Sequence, residues 1–340
     1  MPEATRGFAV LRGGVAEAAQ VAAEAERRGY QTAWSPEFYT RSGIVTLAAM
    51  SQVTTQARLG SAIAYAVGRT PLVLATEARS LDELSGGRLV YGLGTGTTKM
   101  MANWHGVDPS GPASRMEELI PLLRQLWRLH EGPVQHDGRF YHVDIAPTAE
   151  MTAPLRTEIP VFTAGVNRRM IEVAGRVGDG FIGHTLFTPA YFTEVVRPII
   201  AAGADKTGRD ASQVEIAAMV ICSVSDDEEQ ARQEAAAQLA FYAAPRTYGT
   251  VIEAAGFAAA GEKIRAAFAD RDIPAMIAAV TDEMVDRMAL AGTPDEVKAA
   301  ARRYEGILDH LILYAPSYGV SAERAEENAN GLVAAFGGQR

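Results

Sequence analysis

Short apolar runs alternate with longer amphipathic runs along most of the chain. Residues 58–97 show the repeating unit, in which strand-like runs at 59–65 and 88–93 flank a helix-like run at 71–84. Such a strand–helix–strand crossover places its two strands side by side in parallel. The same alternation before and after this segment predicts eight strands. The predicted strands are 7–11, 31–35, 59–65, 88–93, 159–163, 179–183, 214–224 and 310–314.

Helical spacing and capping residues mark the segments between these strands. Pro71 suits a first helical turn, because proline lacks the N–H that would be unpaired there. Residues 225–228 and 293–296 read as capping boxes that open two later helices. The predicted helices are 14–28, 43–54, 71–84, 114–130, 167–176, 189–202, 225–243, 293–304 and 321–336.

Three segments break this rhythm. Residues 98–112 read as a long loop, 136–139 as a hairpin turn, and 244–280 as an alanine-rich insertion with helical pieces. The simplest closed arrangement of eight parallel strands is a (β/α)8 TIM barrel of the α/β class. We therefore predict a single domain over residues 1–340, with insertions near 98–113, 132–158 and 244–285. An open doubly wound sheet is the alternative.

Composition restricts the possible classes of binding partner more than it restricts the possible folds. The 340 residues carry a net charge of −9 without a lysine or arginine block, which disfavours nucleic acid and anionic membranes. The sequence has neither a secretory signal nor an apolar run long enough to span a membrane, so we expect a cytoplasmic protein. The lone Cys222 excludes an internal disulfide framework, and its apolar surroundings predict an inert, buried thiol.

Two strand ends carry backbone suited to a ligand. The run Gly92–Gly94, continued by Thr95, Gly96 and Thr97, departs from a dinucleotide fingerprint because its helix is delayed, and it lacks a phosphate-loop lysine. It indicates either a tight turn or close backbone approach to a flat ring or a phosphate. The turn formed by Ala164, Gly165, Val166, Asn167 and Arg168 leads into a helix N-terminus and is a candidate anion site, with a solvated first turn as the alternative.

Titratable residues at the same barrel edge are candidates for proton transfer. Glu37 follows the second strand and could act as an acid or base, or be a surface glutamate. His184 follows the sixth strand, and Trp104 and His105 lie in segment 98–112, where they could shape a substrate pocket. The histidine spacing does not support a metal site, and the sequence lacks a serine-hydrolase elbow.

Motifs spread over most of the chain resemble the bacterial luciferase-like superfamily, and in particular its branch that uses the deazaflavin coenzyme F420. Each motif is short, but together they occur in the family's order. The matching segments are 60–63 (GSAI), 69–71 (RTP), 81–88 (LDELSGGR), 92–96 (GLGTG), 160–165 (PVFTAG), 174–180 (AGRVGDG) and 291–296 (AGTPDE).

The resemblance implies a homodimeric barrel with a non-prolyl cis peptide between Ala62 and Ile63. It also implies that residues at the ends of four strands line the cofactor, with the turn after the fifth strand holding its phosphate. The implied cofactor residues are Ser35, Ser61, Ala62, Ile63, Gly94, Thr95, Gly96, Thr97, Ala164, Gly165, Val166, Asn167 and Arg168.

The chain departs from the F420-dependent sugar-phosphate dehydrogenases of this family at two places. Pro36-Glu37 stands where those enzymes carry Asp-His, and Thr97 stands where they carry glutamate. The leading hypothesis is therefore an F420-dependent oxidoreductase acting on another small organic substrate, with Glu37 or His184 handling the proton. The alternatives are a two-component monooxygenase that uses FMN, and a non-catalytic flavin- or deazaflavin-binding protein.

Overall fold

Eight parallel strands close into a barrel with flanking helices, as the sequence predicts. The computed structural model describes residues 4–11 and 13–338. The strands of this part of the chain are β1 Thr5–Ala9, β2 Thr32–Ser35, β3 Arg58–Ser61, β4 Ala64–Tyr65, β5 Leu89–Gly94, β6 Val134–Asp137, β7 His142–Ile145, β8 Val161–Ala164, β9 Gly180–Gly183, β10 Glu215–Val224, β11 Ala289–Gly292 and β12 His310–Tyr314. The ring order is β1, β2, β3, β5, β8, β9, β10 and β12, while β4 pairs with β5 and β11 with the second half of β10.

Helices follow nearly every barrel strand. In the described residues they are α1 Val15–Arg27, α2 Gly43–Ser51, α3 Pro71–Leu84, α4 Thr98–Asn103, α5 Pro112–Trp127, α6 Arg168–Val177, α7 Pro189–Tyr191, α8 Arg197–Asp205, α9 Glu228–Ala243, α10 Gly249–Ala254, α11 Ala258–Ala269, α12 Ile273–Ala278, α13 Asp282–Met288, α14 Pro294–Ala301 and α15 Ala322–Phe336. A π-helical turn at Phe192–Val196 separates α7 from α8. None of these helices is both long and apolar enough to cross a membrane.

The chain divides into two compact units. The first unit comprises Met1–Ala33, Gly183–Pro198 and Ile216–Arg340, and the second comprises Trp34–Ile182 and Ile199–Glu215. The single domain over residues 1–340 stays a prediction.

Two large rings fill the interior of the second unit, and glycines make room for them. Trp34 and Phe162 are buried with ring centroids 6.3 Å apart. A Cβ at Gly60 would lie 2.2 Å from Trp34 Cε3, and a Cβ at Gly180 would lie 2.5 Å from Phe162 Cδ1. Since interiors are packed to van der Waals contact, neither glycine can carry a side chain while these rings stay in place.

A buried polar network ties β10 to helices of the first unit. The Glu234 carboxylate accepts hydrogen bonds from Ser223 Oγ (2.9 Å), Asn328 Nδ2 (2.8 Å) and Arg324 Nε (2.6 Å). On the same strand, Cys222 is fully buried, and burial raises the pKa of its thiol. The network is satisfied and the thiol protonated, so both groups are structural, as predicted for Cys222.

The insertions are more regular than the sequence suggests. The predicted loop at 98–112 is wrong, because α4 occupies its first half with Thr97 as its cap; Thr97 Oγ1 accepts from Met100 N at 3.2 Å. The hairpin turn falls at 138–141 rather than 136–139, between antiparallel β6 and β7. Residues 244–280 form short helices, and β11 follows them as an unpredicted strand.

Of the two predicted capping boxes, only one is correct. Thr293 and Glu296 exchange backbone and side-chain hydrogen bonds at the start of α14. The predicted box at 225–228 is wrong: Asp227 caps α9 by accepting from Gln230 N, and Ser225 Oγ accepts from Asp227 N.

Candidate functional site

The third barrel strand is interrupted at the peptide that the family resemblance singles out. The run predicted at 59–65 divides into β3 and β4, and the Ala62–Ile63 bond between them is cis without a proline, which confirms that expectation. Ala62 N donates to Ser35 O at 3.0 Å, and Ser61 Oγ donates to Gly92 O at 2.8 Å. The segment is therefore bonded to the strand on either side.

The loop after β5 lies directly beside this segment. Tyr65 pairs with Gly94 in the β4–β5 register, and a Cβ at Gly94 would lie 2.9 Å from Ile63 Cδ1. Gly96 has φ +69°, a conformation that favours glycine. Thr95 is buried, and Thr97 caps α4. Main chain rather than side chains therefore dominates this strand end.

The turn after β8 lies on the next strand of the ring. β5 and β8 pair through Leu93 and Thr163, so their loops leave neighbouring positions. Asn167 precedes α6, and within the described residues its side chain makes no capping hydrogen bond. The first N–H groups of a helix lack intrahelical partners and attract anions. Arg168 is exposed, whereas Arg169 pairs with Glu117 at 2.5 Å.

Glu37 lies in a charged cluster of the second unit. Its carboxylate accepts from Arg69 through two bonds, Nη2–Oε1 at 2.5 Å and Nη1–Oε2 at 2.8 Å, and from Tyr65 N at 2.8 Å. Arg69 Nε lies 3.0 Å from Glu77 Oε2 on α3. Donation of hydrogen bonds to Glu37 raises the pKa of the Arg69 guanidinium, which stays charged.

Two further polar groups lie near this cluster. Tyr91 is fully buried, and burial, followed by the charge of Glu77, raises the pKa of its phenol. The His105 ring packs on Tyr65 with centroids 4.9 Å apart. Neither the Tyr91 hydroxyl nor His105 Nε2 has a hydrogen-bond partner in the described part of the chain.

Trp104 belongs to an exposed cluster of three aromatic rings. It meets Phe38 and Tyr39 edge to face, each at a centroid distance of 5.3 Å, and those two rings lie 4.2 Å apart. The three residues are 43%, 38% and 72% exposed. They form an apolar surface, and two of them, Phe38 and Tyr39, directly follow Glu37 in the chain.

His184 lies in the first unit among tyrosines. Its ring stacks on Tyr248 at a centroid distance of 4.2 Å and meets the edge of Tyr242 at 5.2 Å. His184 Nδ1 accepts from Leu186 N at 3.3 Å, which leaves the ring proton on Nε2. Burial lowers the pKa of His184 to about 3, so the ring is neutral at physiological pH.

The predicted site residues therefore fall into two groups. In the second unit, Ala62 is bonded to Ser35, Ile63 O accepts from Glu37 N, and Gly94 lies against Ile63, while Ala164 ends the adjoining strand. His184 belongs to the first unit. Sequence reasoning missed the partners of both candidate proton groups. In the sequence, Arg69 stands only within the short family motif 69–71, and the two tyrosines lie in or beside an insertion without a recognisable pattern.

Comparison with known proteins places the chain in a family. It is 29% identical to the 5,10-methylenetetrahydromethanopterin reductase of Methanolobus tindarius, over 92% of this chain and 93% of the relative. Its fold matches the coenzyme F420-dependent tetrahydromethanopterin reductase of Methanopyrus kandleri with a TM-score of 0.81 at 24% identity, covering 98% and 100% of the two chains. It also matches the oxygenating constituent of 3,6-diketocamphane monooxygenase from Pseudomonas putida, in complex with FMN, with a TM-score of 0.68 at 15% identity, covering 98% and 96%. The family model for luciferase-like monooxygenases matches residues 4–311, and the chain therefore belongs to that family.

Proposed function

We propose that this protein is an F420-dependent oxidoreductase acting on a small organic substrate, a carbonyl, an alcohol or an activated alkene. The bound deazaflavin would supply hydride transfer at its C5. One observation carries the proposal: three neighbouring strand ends made of small residues, in a chain that matches a methylenetetrahydromethanopterin reductase over 92% of its length.

The residues at these strand ends fit such a cofactor. A flat ring needs a surface that is mostly main chain, and Ala62, Ile63 and the loop from Gly94 to Thr97 supply it. A phosphate needs N–H donors and positive charge, and the uncapped start of α6 beside Arg168 offers both. Trp104 and His105 would contribute to the substrate pocket, and the sequence marks Glu37 and His184 as the candidate proton-handling groups.

Fluorescence titration with F420 tests this proposal. We expect saturable binding by the purified protein and oxidation of reduced F420 by at least one carbonyl or alkene acceptor. Arg168→Gln should weaken F420 binding on the order of tenfold, the loss of one charge-assisted hydrogen bond. Arg128→Gln, which removes an equal charge from an exposed ion pair of the same unit, is the control. Absence of binding to the wild-type protein contradicts the proposal.

The second candidate is a two-component monooxygenase that uses reduced FMN and oxygen. The description of the matching family model and the FMN complex among the structural relatives favour it. Competition between FMN and F420 for the purified protein separates the two, since the function follows the cofactor that binds more tightly.

We also propose that the protein is a homodimer. Helices α2 and α3 leave several large apolar side chains exposed, more than a helix facing only solvent requires: Val45, Leu72, Val73 and Leu84. Light scattering should give twice the chain mass for the wild type and the chain mass for Leu72→Glu. A monomeric wild-type protein contradicts this assembly.

A further inference from the structure

Both oxygens of the Glu37 carboxylate accept hydrogen bonds from residues of its own unit. Its side chain is 10% exposed, and that of Arg69 is 17% exposed. Its two oxygens accept three hydrogen bonds, two from Arg69 nitrogens and one from the main-chain N–H of Tyr65. A group that exchanges a proton with a substrate needs a free oxygen aimed at that substrate. This carboxylate instead has both oxygens turned toward the protein.

The same contacts fix the main chain of Tyr65. Tyr65 N donates to Glu37 Oε2 at 2.8 Å, and Tyr65 O accepts from Arg69 Nη1 at 3.3 Å. The main-chain N–H and C=O of Tyr65 are thus both held by one ion pair. We call Glu37, Arg69 and the Tyr65 main chain the Tyr65 clamp. Glu37 N also donates to Ile63 O at 3.3 Å. Glu37 is therefore hydrogen-bonded to segment 63–65 at two points, once through its main chain and once through its side chain.

The clamp is connected to the candidate cofactor surface and to helix α3. Tyr65 pairs with Gly94, and a Cβ at Gly96 would lie 3.2 Å from its ring. On the other side, Glu77 Oε2 of α3 lies 3.0 Å from Arg69 Nε, within ion-pair distance. A change in the clamp would displace the main chain at 63–65 and, through Tyr65, the loop after β5.

We infer that Glu37 is a positioning residue: with Arg69 it holds the main chain of residues 63–65 in register against the cofactor, and it does not carry the proton of the reaction. This inference rests on the proposed function for the identity of the cofactor. It assigns to Arg69, which no sequence motif marks as functional, a role equal to that of Glu37.

A double-mutant cycle tests the clamp. Glu37→Gln, Arg69→Met and the double variant are compared for F420 affinity, for the unfolding equilibrium, and for the pH profiles of kcat and kcat/KM. Each single variant should weaken F420 binding roughly tenfold, and the double variant should be little worse than either, because both remove one interaction. The pH profiles should keep their shape. Glu158→Gln, in an exposed ion pair with Arg128, should leave all three unchanged.

Two outcomes overturn the inference. The first is a Glu37→Gln variant that binds F420 as the wild type does, loses kcat at least a hundredfold and loses one limb of its pH profile, while Arg69→Met stays active. The second is strict additivity of the two single changes. Should Arg69→Met not fold, Arg69→Lys replaces it, because lysine keeps the charge but cannot bridge the carboxylate and Tyr65 O as a fork; an intermediate loss of affinity is then expected.

The experiment distinguishes a failure of the clamp from a failure of the proposed cofactor. Coupling in the unfolding equilibrium is measured without any cofactor and should reach roughly tenfold. If the wild type binds FMN and not F420, the proposed function fails, and the affinity arm is repeated with FMN. Coupled losses then still support the clamp, and uncoupled losses overturn it.

Discussion

Glu37 and His184 each follow a barrel strand, yet their side chains are held in opposite kinds of environment. The carboxylate accepts hydrogen bonds from Arg69 and from a main-chain N–H, while the imidazole is held neutral by burial between tyrosine rings. The first arrangement removes several charges from water, which is unfavourable, and offsets this with directional hydrogen bonds that fix the main chain. The second needs no partner charge and leaves a neutral ring with one N–H donor. Two residues that read alike in the sequence thus differ in what they can contribute.

The largest expected effect comes from removing the positive charge of the clamp. Arg69→Met leaves Glu37 and Glu77 without their shared partner, and we expect the free energy of unfolding to fall by about 3–5 kcal/mol, the usual cost of breaking a buried pair. Urea unfolding measures it. Arg128→Met, in an exposed pair, should lower the free energy of unfolding far less. Equal losses in the free energy of unfolding for Arg69→Met and Arg128→Met would contradict the expected difference between a buried and an exposed ion pair.

A smaller effect is expected in the acid stability contributed by His184. Its pKa is about 3 in the folded protein and near its usual 6.5 in the unfolded chain, so the unfolded state binds more protons between those values. Stability from this group is therefore present above pH 6.5 and is lost as the pH falls toward 3, by up to about 1.4 kcal/mol per pH unit. His184→Phe, which keeps an aromatic ring, should lose about 2 kcal/mol less than the wild type between pH 7 and pH 4.5 in urea unfolding. Parallel losses would show that burial does not hold the ring neutral.

The smallest effect concerns the stacked tyrosine itself. Tyr248→Leu opens one face of the His184 ring to water, and the pKa of His184 should rise by about one unit, equivalent to about 1.4 kcal/mol. NMR titration of the imidazole measures this shift. Phe241→Leu, which removes a ring that contacts Tyr242 but is not stacked on the histidine, is the matched control. An unchanged pKa in Tyr248→Leu would assign the depression to other parts of the unit.

The barrel was readable from the sequence because its strands are buried on both faces and appear as continuous apolar runs. The same property hid the interruption of the third strand: residues 59–65 are nearly all apolar, so periodicity does not show which peptide departs from the strand. β11 was missed because its sequence, Ala-Leu-Ala-Gly, has the composition of the helices around it. α4 was missed because Thr97, its cap, follows a glycine-rich run that reads as loop.

The candidate site was predictable in its positions and not in its pairings. Strand ends, Glu37 and His184 could be marked because local patterns show where strands stop. The contact between Glu37 and Arg69 joins residues 32 positions apart, and the stack of His184 on Tyr248 joins a strand end to an insertion. Such contacts follow from tertiary packing, which determines whether a titratable group is free or held.

The close fit of Gly60 against Trp34 restricts how this sequence can change during evolution. An alanine at 60 would overlap the indole, and a smaller residue at 34 would first open a void that costs about 3–5 kcal/mol. A single substitution at either position would therefore give a destabilised protein, whichever position changes first. Positions 34 and 60 should therefore covary, and a descendant that alters one of them should carry a compensating change at the other.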